Sequence, residues 1–428
     1  MIRWLLILLL VVLLLSTTFG WDLSLGPGLS VKNAFIYMIT VVFLIETAVL
    51  RNRRFELLPV LVPYGLFTGY CILSWFIASF VIQPEYYEPF ATGISLKNKR
   101  VDHFIVFLLF FYGVSSSKDA LSLIRIFLWM FVIGNLLTVV DGFNIPDLGI
   151  IQEKRGRIGG PMGEANQYGA LLAFTLPAVI ALVWDSPHTN RLMALLGSLI
   201  SLLAFLLASS RGAFVGLFLG SIFAAIFLRS VLTMRQIAIG TLVSTLGVLV
   251  VMTVFLRTEL FSDLSQRFVE KTSGDVYTMS SGRSEVWGMA IDRMLEHPVS
   301  FLTGFGWDAY LHMRGFWKAI HNVYLEILFN LGLPALLLFL LTIYSLFTTC
   351  RRAIRQVGGV VRVHISAFVF GLAALCVSLL FVDLWIAWLF IWAYIGLIMR
   401  LAIASIRELE SDTDEAALSL HQLSLGRP

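Results

Sequence analysis

Long apolar runs recur along this chain, and they constrain its fold more than any other feature of the sequence. A helix needs about 20 mostly apolar residues to cross a bilayer. Runs of that kind follow one another here, separated by short charged stretches or by stretches that contain Gly and Pro. The chain is therefore predicted to be an all-α, polytopic membrane protein.

The composition supports this prediction. Of the 428 residues, 58% are hydrophobic and 14% are charged, whereas soluble domains contain about 25% charged residues. The formal net charge of +4 comes from arginines in short loops and does not indicate a nucleic-acid partner. Cys71, Cys350 and Cys376 lie within predicted spans or at a cytoplasmic end, so neither a disulfide nor a metal site is expected.

About twelve spans are predicted from the apolar runs. The first run follows Arg3 and is similar to the core of a signal peptide, but no small-residue cleavage site follows it, so a signal anchor is expected. The predicted spans are Ile2–Ser16, Val31–Leu50, Leu57–Ile82, Val101–Val114, Leu121–Val140, Asn166–Trp184, Met193–Ala208, Gly212–Leu228, Ile237–Leu256, Asn322–Phe347, Ile365–Phe381 and Leu384–Met399.

The short loops set the orientation, because Lys and Arg collect on the cytoplasmic side of a membrane protein. With about twelve spans, the basic clusters 51–54 and 351–362 fall on one side and both termini are cytoplasmic. The predicted organisation has spans in 1–256, a large periplasmic loop with short amphipathic helices in 257–321, further spans in 322–404 and an acidic cytoplasmic tail in 405–428.

Some basic residues lie on the outer side, against this bias. Arg211 is the sharpest case, because only a few residues separate the spans around it, and Gly212 is expected to let the chain turn closely there. A charge drawn toward the bilayer centre costs at least ~2.5 kcal/mol. Two explanations stay open, snorkelling to the surface or binding of an anion. The other outer basic residues of interest are Lys154, Arg155, Arg157 and Arg283.

The outer loop contains one segment that is predicted to form a helix. Ser284 is expected to cap the segment "EVWGMAIDRML", whose apolar residues share one face until His297-Pro298 ends it. Arg283 precedes this helix, where free N–H groups and the helix dipole favour anions. A phosphate site is the functional interpretation of that position.

His321 opens an apolar helix at the outer interface, with Asn322 beside it and Tyr324 close behind. At the rim of the membrane it meets water, so it is able to exchange protons near neutral pH. The alternative is an interfacial histidine that is hydrogen-bonded to lipid headgroups.

These residues also carry a family resemblance. His321-Asn322, nine further residues and Gly332 resemble a motif of the O-antigen ligase superfamily, which includes O-antigen ligases, polysaccharide polymerases and protein O-oligosaccharyltransferases. The segments "GEANQYGALLAFTLP", "SSRGAFVG" and "GRSEVWGMAIDRMLEHPVSFLTGFGWDAY" are similar to other landmarks of that superfamily, in the same order. Ala335 departs from the ligase motif, which has Gly, Thr or Tyr there.

The resemblance implies a GT-C type glycosyltransferase of the bacterial inner membrane that takes a glycan from undecaprenyl pyrophosphate at the periplasmic face. By correspondence, Arg211 and Arg283 hold the donor pyrophosphate and His321 is the base. Other candidate substrate-binding residues are Lys154, Arg155, Arg157, Glu164, Asn166, Gln167, Asn322 and Tyr324. For Glu164, Asn166 and Gln167, capping of the sixth span is an equal alternative.

The chemistry of these residues agrees with that implication. A prenyl pyrophosphate leaves with its charge spread over phosphates, which arginines are able to stabilise, so no metal or other cofactor is expected. No paired carboxylates suggest a covalent sugar intermediate, so a single displacement with inversion is expected. The expected partners are the lipid-linked donor, membrane lipids and an acceptor hydroxyl on lipid A core, polysaccharide or protein.

Two alternatives remain at this point. A polysaccharide polymerase of the same superfamily would use the same donor, and a transporter or flippase for lipid-linked glycans would share the cytoplasmic termini. The span interiors argue against coupled transport, because ionisable residues are scarce in them, with Asn135 the main polar residue near a helix centre.

Overall fold

A computed structural model describes residues 2–18, 24–50, 59–142, 158–187, 190–231, 282–313, 315–316, 319–384 and 388–425. These residues are almost entirely helical, which confirms the predicted all-α class. In chain order the helices are α1 (Ile2–Thr18), α2 (Val31–Leu44), α3 (Leu61–Phe76), α4 (Pro89–Leu96), α5 (Asp102–Tyr112), α6 (Ser117–Gly142), α7 (Ala165–Asp185), α8 (Arg191–Ala208), α9 (Arg211–Leu228), α10 (Arg283–Glu296), α11 (Ser300–Thr303), α12 (Val323–Gln356), α13 (Gly359–Ser378) and α14 (Trp388–Leu425).

Shorter elements join these helices. The helical turns continue in π form at Ile45–Leu50, Ile77–Ile82 and Lys97–Val101, and single 3-10 turns lie at Gly160–Met162 and Ala309–Leu311. One antiparallel strand pair, β1 (Ser24–Gly26) with β2 (Leu29–Ser30), precedes α2. Ser30 then caps α2 by accepting a hydrogen bond from the backbone N–H of Asn33.

Eight helices within the described parts of the chain are long and apolar enough to cross a membrane. The prediction of a polytopic membrane protein is therefore confirmed, but the count of twelve is not. The predicted span at 237–256 lies outside the described residues, and the apolar helix at Ile2–Ser16 is shorter than the others. The candidate spans are Leu61–Ile82, Ser117–Gly142, Ala165–Asp185, Arg191–Ala208, Arg211–Leu228, Val323–Gln356, Gly359–Ser378 and Trp388–Ser411.

A stripe of glycines brings α9 very close to α13. A side chain added at Gly216 or Gly220 would overlap Ser378 or the backbone of Ala374. Glycines spaced by four residues allow such close packing of membrane helices. Gly212 belongs to this stripe, because a Cβ there would lie 2.7 Å from the Cβ of Phe381.

The long helices alternate in direction, so their ends form two opposite ends of the molecule. α7, α9, α12 and α14 begin at one end, where α8 and α13 finish. The opposite end holds a buried cluster in which Asp185 accepts hydrogen bonds from Arg125 and lies 2.9 Å from Nε2 of His364. Arginines at that opposite end are Arg191, Arg229, Arg351, Arg352, Arg355 and Arg362, as expected for a cytoplasmic face.

α12 contains a kink, which explains the glycine of the family motif. Gly332 has φ +78° and ψ −178°, and Pro334 lacks the N–H that the helix would use. The carbonyl of Asn330 accepts instead from the N–H of Gly306, at 2.9 Å. A Cβ at Gly332 would overlap the carbonyl oxygen of Leu302, so only glycine fits.

Candidate functional site

His321 lies at the start of α12, in the left-handed backbone region with φ +50°. Asn322 follows as the N-cap of the helix, and its side chain accepts from the N–H of Leu325 at 3.1 Å. The N–H of Val323 donates to the carbonyl of Leu379 at 2.9 Å, which ties this segment to the end of α13. The cap and the tie hold His321 in a defined position between two membrane helices.

Asp383 is the partner of His321. Its Oδ1 lies 2.9 Å from Nδ1 of the imidazole, and both side chains are largely buried. Burial alone would raise the pKa of Asp383, but the hydrogen bond and the charge of His321 outweigh it and hold that pKa below its usual value. Asp383 therefore stays ionised and fixes the orientation of the imidazole ring.

The sequence analysis missed Asp383. One signal was present, because this residue is a lone acid in the short outer connection between two predicted spans, in "FVDLW". A charged residue in such a place carries a functional hypothesis by default. The sequence does not show that this connection contacts His321, which lies 62 positions earlier.

Arg283 is the first residue of α10 and points to the same cluster. Burial lowers the pKa of Arg283 below its ordinary value, and the positive charge of Arg211 lowers it further. The negative charges of Glu164 and Asp383 act in the opposite direction. Arg283 thus lies within electrostatic reach of all three residues. The expected cap by Ser284 is wrong, because Gly282, with φ +77°, holds the N-cap position.

Arg211 begins α9 at the same end of the molecule. The turn before it is made by Ser209, with φ +48°, while Ser210 caps α9 by accepting from the N–H of Ala213. The expectation that Gly212 makes this turn is wrong, since Gly212 is helical and its lack of a side chain serves packing against Phe381. The tight turn leaves the guanidinium of Arg211 at the helix start, near Arg283.

Glu164 serves as the N-cap of α7, which was one of the two interpretations from the sequence. Its carboxylate accepts from the backbone N–H groups of Asn166, at 3.1 Å, and Gln167, at 2.7 Å. The side chain of Asn166 accepts in turn from Ser210, at 3.3 Å. Glu164 and Asn166 therefore join the starts of α7 and α9, and Glu164 also brings negative charge toward Arg283.

The remaining predicted residues fall into two groups. Tyr324 donates to the carbonyl of Cys376 at 2.7 Å, so its hydroxyl joins α12 to α13. The basic residues Lys154, Arg155 and Arg157 lie outside the described residues. Among the residues that are described, no group of three His, Cys, Asp or Glu side chains is arranged to hold a metal ion.

The helices and this charged end define a class of protein: a polytopic membrane protein with two arginines gathered beside a His–Asp pair. A family model described as O-antigen ligase matches residues 196–340. The predicted relationship to the O-antigen ligase superfamily is thereby confirmed over that segment, which contains Arg211, Arg283 and His321. None of the curated proteins matches the chain.

Proposed function

We propose that this protein is a membrane glycosyltransferase of the O-antigen ligase type. It transfers a glycan from undecaprenyl pyrophosphate to the hydroxyl of an acceptor. One observation carries the proposal: Arg283 starts one helix within electrostatic reach of Arg211, which starts another, and of Asp383, the hydrogen-bonded partner of His321. Cations for a leaving pyrophosphate and an acceptor for a proton are the two groups that such a transfer needs.

The arginines act on the leaving group. When the bond between the anomeric carbon and the pyrophosphate oxygen breaks, the electron pair leaves with undecaprenyl pyrophosphate. Arg211 and Arg283 stand at the starts of α9 and α10, where helix N–H groups add to the positive potential. Guanidinium groups bind phosphate oxygens in a bidentate manner, so this pair stabilises the departing diphosphate.

His321 acts on the acceptor. The acceptor oxygen forms the new bond to the anomeric carbon, and its proton passes to the imidazole. Because Nδ1 is engaged by Asp383, Nε2 is the ring nitrogen that takes the proton. Asp383 selects this tautomer and stabilises the imidazolium that results.

A single displacement with inversion fits the two carboxylates that act on Arg283. A double displacement would need a free carboxylate to attack the sugar and form a covalent intermediate. Glu164 is engaged in capping α7, and Asp383 is engaged with His321. Both described carboxylates beside Arg283 therefore already have structural or positioning roles.

The distribution of arginines supports a periplasmic site in the inner membrane. The site lies at the end opposite to the arginine-rich connections around α8, α9, α12 and α13, and Lys and Arg collect on the cytoplasmic side. Undecaprenyl pyrophosphate would then lie with its tail among the helices and its glycan outside.

The test is a transfer assay with the purified full-length protein in lipid nanodiscs. A fluorescent undecaprenyl-pyrophosphoryl glycan is supplied with lipid A core, with a polysaccharide or with a serine-containing protein, and both product and undecaprenyl pyrophosphate are measured. We expect transfer to one acceptor class and its loss in His321→Ala. Failure to consume the donor with any acceptor, or undiminished transfer by His321→Ala, would overturn the proposal.

A further inference from the structure

A cavity adjoins Asp383, the partner of His321. It is small, about 30 Å³, and it opens to solvent. We call it the Arg100 cavity; its polar and aromatic wall is formed by Lys99, Arg100, Trp307, Asp308, Glu326, Asn330, Asp383 and Trp388. These residues come from four separate parts of the chain, which the kink in α12 helps to assemble.

The kink places one wall of this cavity. The N–H groups of Phe305 and Gly306 donate to the carbonyls of Phe329 and Asn330, at 3.0 and 2.9 Å. The segment 304–308 is thereby fixed on α12, and it carries Trp307 and Asp308 into the cavity. The motif glycine Gly332 thus supports a surface that lies beside the proposed base.

Arg100 is a buried cation that forms no salt bridge with a described residue, although Glu326 lies within electrostatic reach of it. It is only 8% exposed, and its guanidinium lies between the rings of Phe67 and Trp307, at 5.0 and 5.4 Å from their centroids. Within the described part of the chain it has no ion pair or side-chain hydrogen bond, and its buried Nε has no partner. A buried donor without a partner is costly and points to a ligand that supplies one.

Two further polar groups in the wall lack a hydrogen-bond partner among the described residues. The buried indole Nε1 of Trp307 has no hydrogen-bond partner within the described residues. The half-buried carboxylate of Glu326 lies in the electrostatic field of Lys99, Asp383, Asp308 and Arg100, and no described residue donates a hydrogen bond to it. Asp308, by contrast, is paired with Lys99 at 3.1 Å.

Asp383 connects this cavity to the arginine cluster. It lines the Arg100 cavity, binds His321 and acts electrostatically on Arg283. The proposed base therefore stands where the two regions meet. A pyrophosphate suits the side of Arg211 and Arg283, whereas in the Arg100 cavity the cations Lys99 and Arg100 are offset by the acids Asp308, Glu326 and Asp383.

We propose that the Arg100 cavity is the subsite for the acceptor and binds the sugar that presents the attacking hydroxyl. This inference rests on the function proposed above. Sugar hydroxyls both donate and accept hydrogen bonds, so they match the guanidinium of Arg100, the indole N–H of Trp307 and the carboxylate of Glu326. A sugar held by these groups lies beside Asp383, which lines the cavity and orients the imidazole of His321.

The test compares two cavity variants with two matched controls. Glu326→Gln keeps the shape of a side chain that receives no hydrogen bond from the described residues, and Arg100→Met removes the buried charge. Glu296→Gln and Arg293→Met make the same changes at an exposed pair on α10, where the two side chains lie 2.9 Å apart. The acceptor is whichever of lipid A core, polysaccharide or serine-containing protein the wild type uses, at saturating fluorescent donor and then with donor varied.

We expect the acceptor KM to rise roughly tenfold or more in both cavity variants, because each loses a hydrogen bond that involves a charged group. The donor KM should stay within about twofold, and both controls should behave like the wild type. An unchanged acceptor KM in Glu326→Gln, or a rise in donor KM instead, overturns the subsite. If the wild type transfers to none of the acceptors, the proposed function fails and the subsite falls with it.

Discussion

The indole Nε1 of Trp287 donates a hydrogen bond to the carbonyl of Ile320, 2.8 Å away. Trp287 lies one turn after Arg283 on α10, and Ile320 immediately precedes His321. This bond therefore sets the position of the helix that carries the arginine relative to the segment that carries the proposed base. Trp287 thus links two parts of the site.

Trp287→Phe should weaken catalysis while leaving the protein folded. Phenylalanine keeps the ring but not the N–H, and one hydrogen bond contributes about 0.5–1.5 kcal/mol. We expect kcat to fall about two- to tenfold at saturating substrates, since the loss acts on the relative position of Arg283 and His321. Trp184→Phe, at the exposed far end of α7, is the control; equal kcat values in the two variants would contradict this role.

Asp383→Asn should reduce kcat by about 10²- to 10⁴-fold, the range that general acid–base catalysis provides. Asparagine preserves the shape but neither stabilises an imidazolium nor selects the tautomer with the proton on Nδ1. The measurement is single-turnover transfer with enzyme in excess of donor. Activity within about twofold of the wild type would remove Asp383 from the mechanism.

The same pair should make stability depend on pH. Because the folded pKa of Asp383 lies below its usual value, its contribution is fully present above the unfolded value of about 3.9. It is lost as the pH falls through the lower folded pKa. The Tm difference between wild type and Asp383→Asn should thus be larger at about pH 5 than at about pH 3, and should shrink as the pH falls below about 4. A difference that grows on acidification would refute the assignment.

Arg211→Ala and Arg283→Ala should each lower kcat/KM for the donor by at least about 10²-fold, as expected for charge stabilisation in the transition state. The double variant should lose much less than the product of the two effects, because both side chains act on one pyrophosphate. The corresponding lysine variants should have kcat/KM values between those of the wild type and the alanine variants, since lysine keeps the charge without the bidentate geometry. Arg293→Ala, on the exposed face of α10, serves as the control, and strictly multiplicative losses would argue for separate roles.

Gly332→Ala should destabilise the protein by at least about 1–2 kcal/mol, the cost of a left-handed backbone for a residue with a Cβ. The overlap with the carbonyl of Leu302 adds to that cost. Gly288→Ala is the matched control, because nothing lies within 4 Å of its added Cβ and alanine favours the helix by about 0.5–1 kcal/mol. Thermal unfolding measured in nanodiscs should give a lower Tm than the wild type for Gly332→Ala. It should give an equal or higher Tm for Gly288→Ala.

The linear sequence predicted the membrane class, the helical fold and three residues that the structure brings toward one end. The predictions of class and fold are confirmed because they depend on a local property, apolar runs long enough for a bilayer. The roles of the three residues stay predictions, drawn from charges in places where a charge is costly. For Arg283, the electrostatic proximity to Glu164, Arg211 and Asp383 required elements that are far apart in sequence to lie close together.

Tertiary structure alone decided the partnership of His321 with Asp383 and the cavity around Arg100. Periodicity and composition report which face of a helix is apolar, but they do not report which neighbour that face meets. That choice comes from close packing, in which Gly216, Gly220 and the kink at Gly332 allow backbones to approach where side chains would collide. The proposed chemistry resides in those non-local contacts, because proton transfer and charge stabilisation depend on distances of a few ångströms between residues that are remote along the chain.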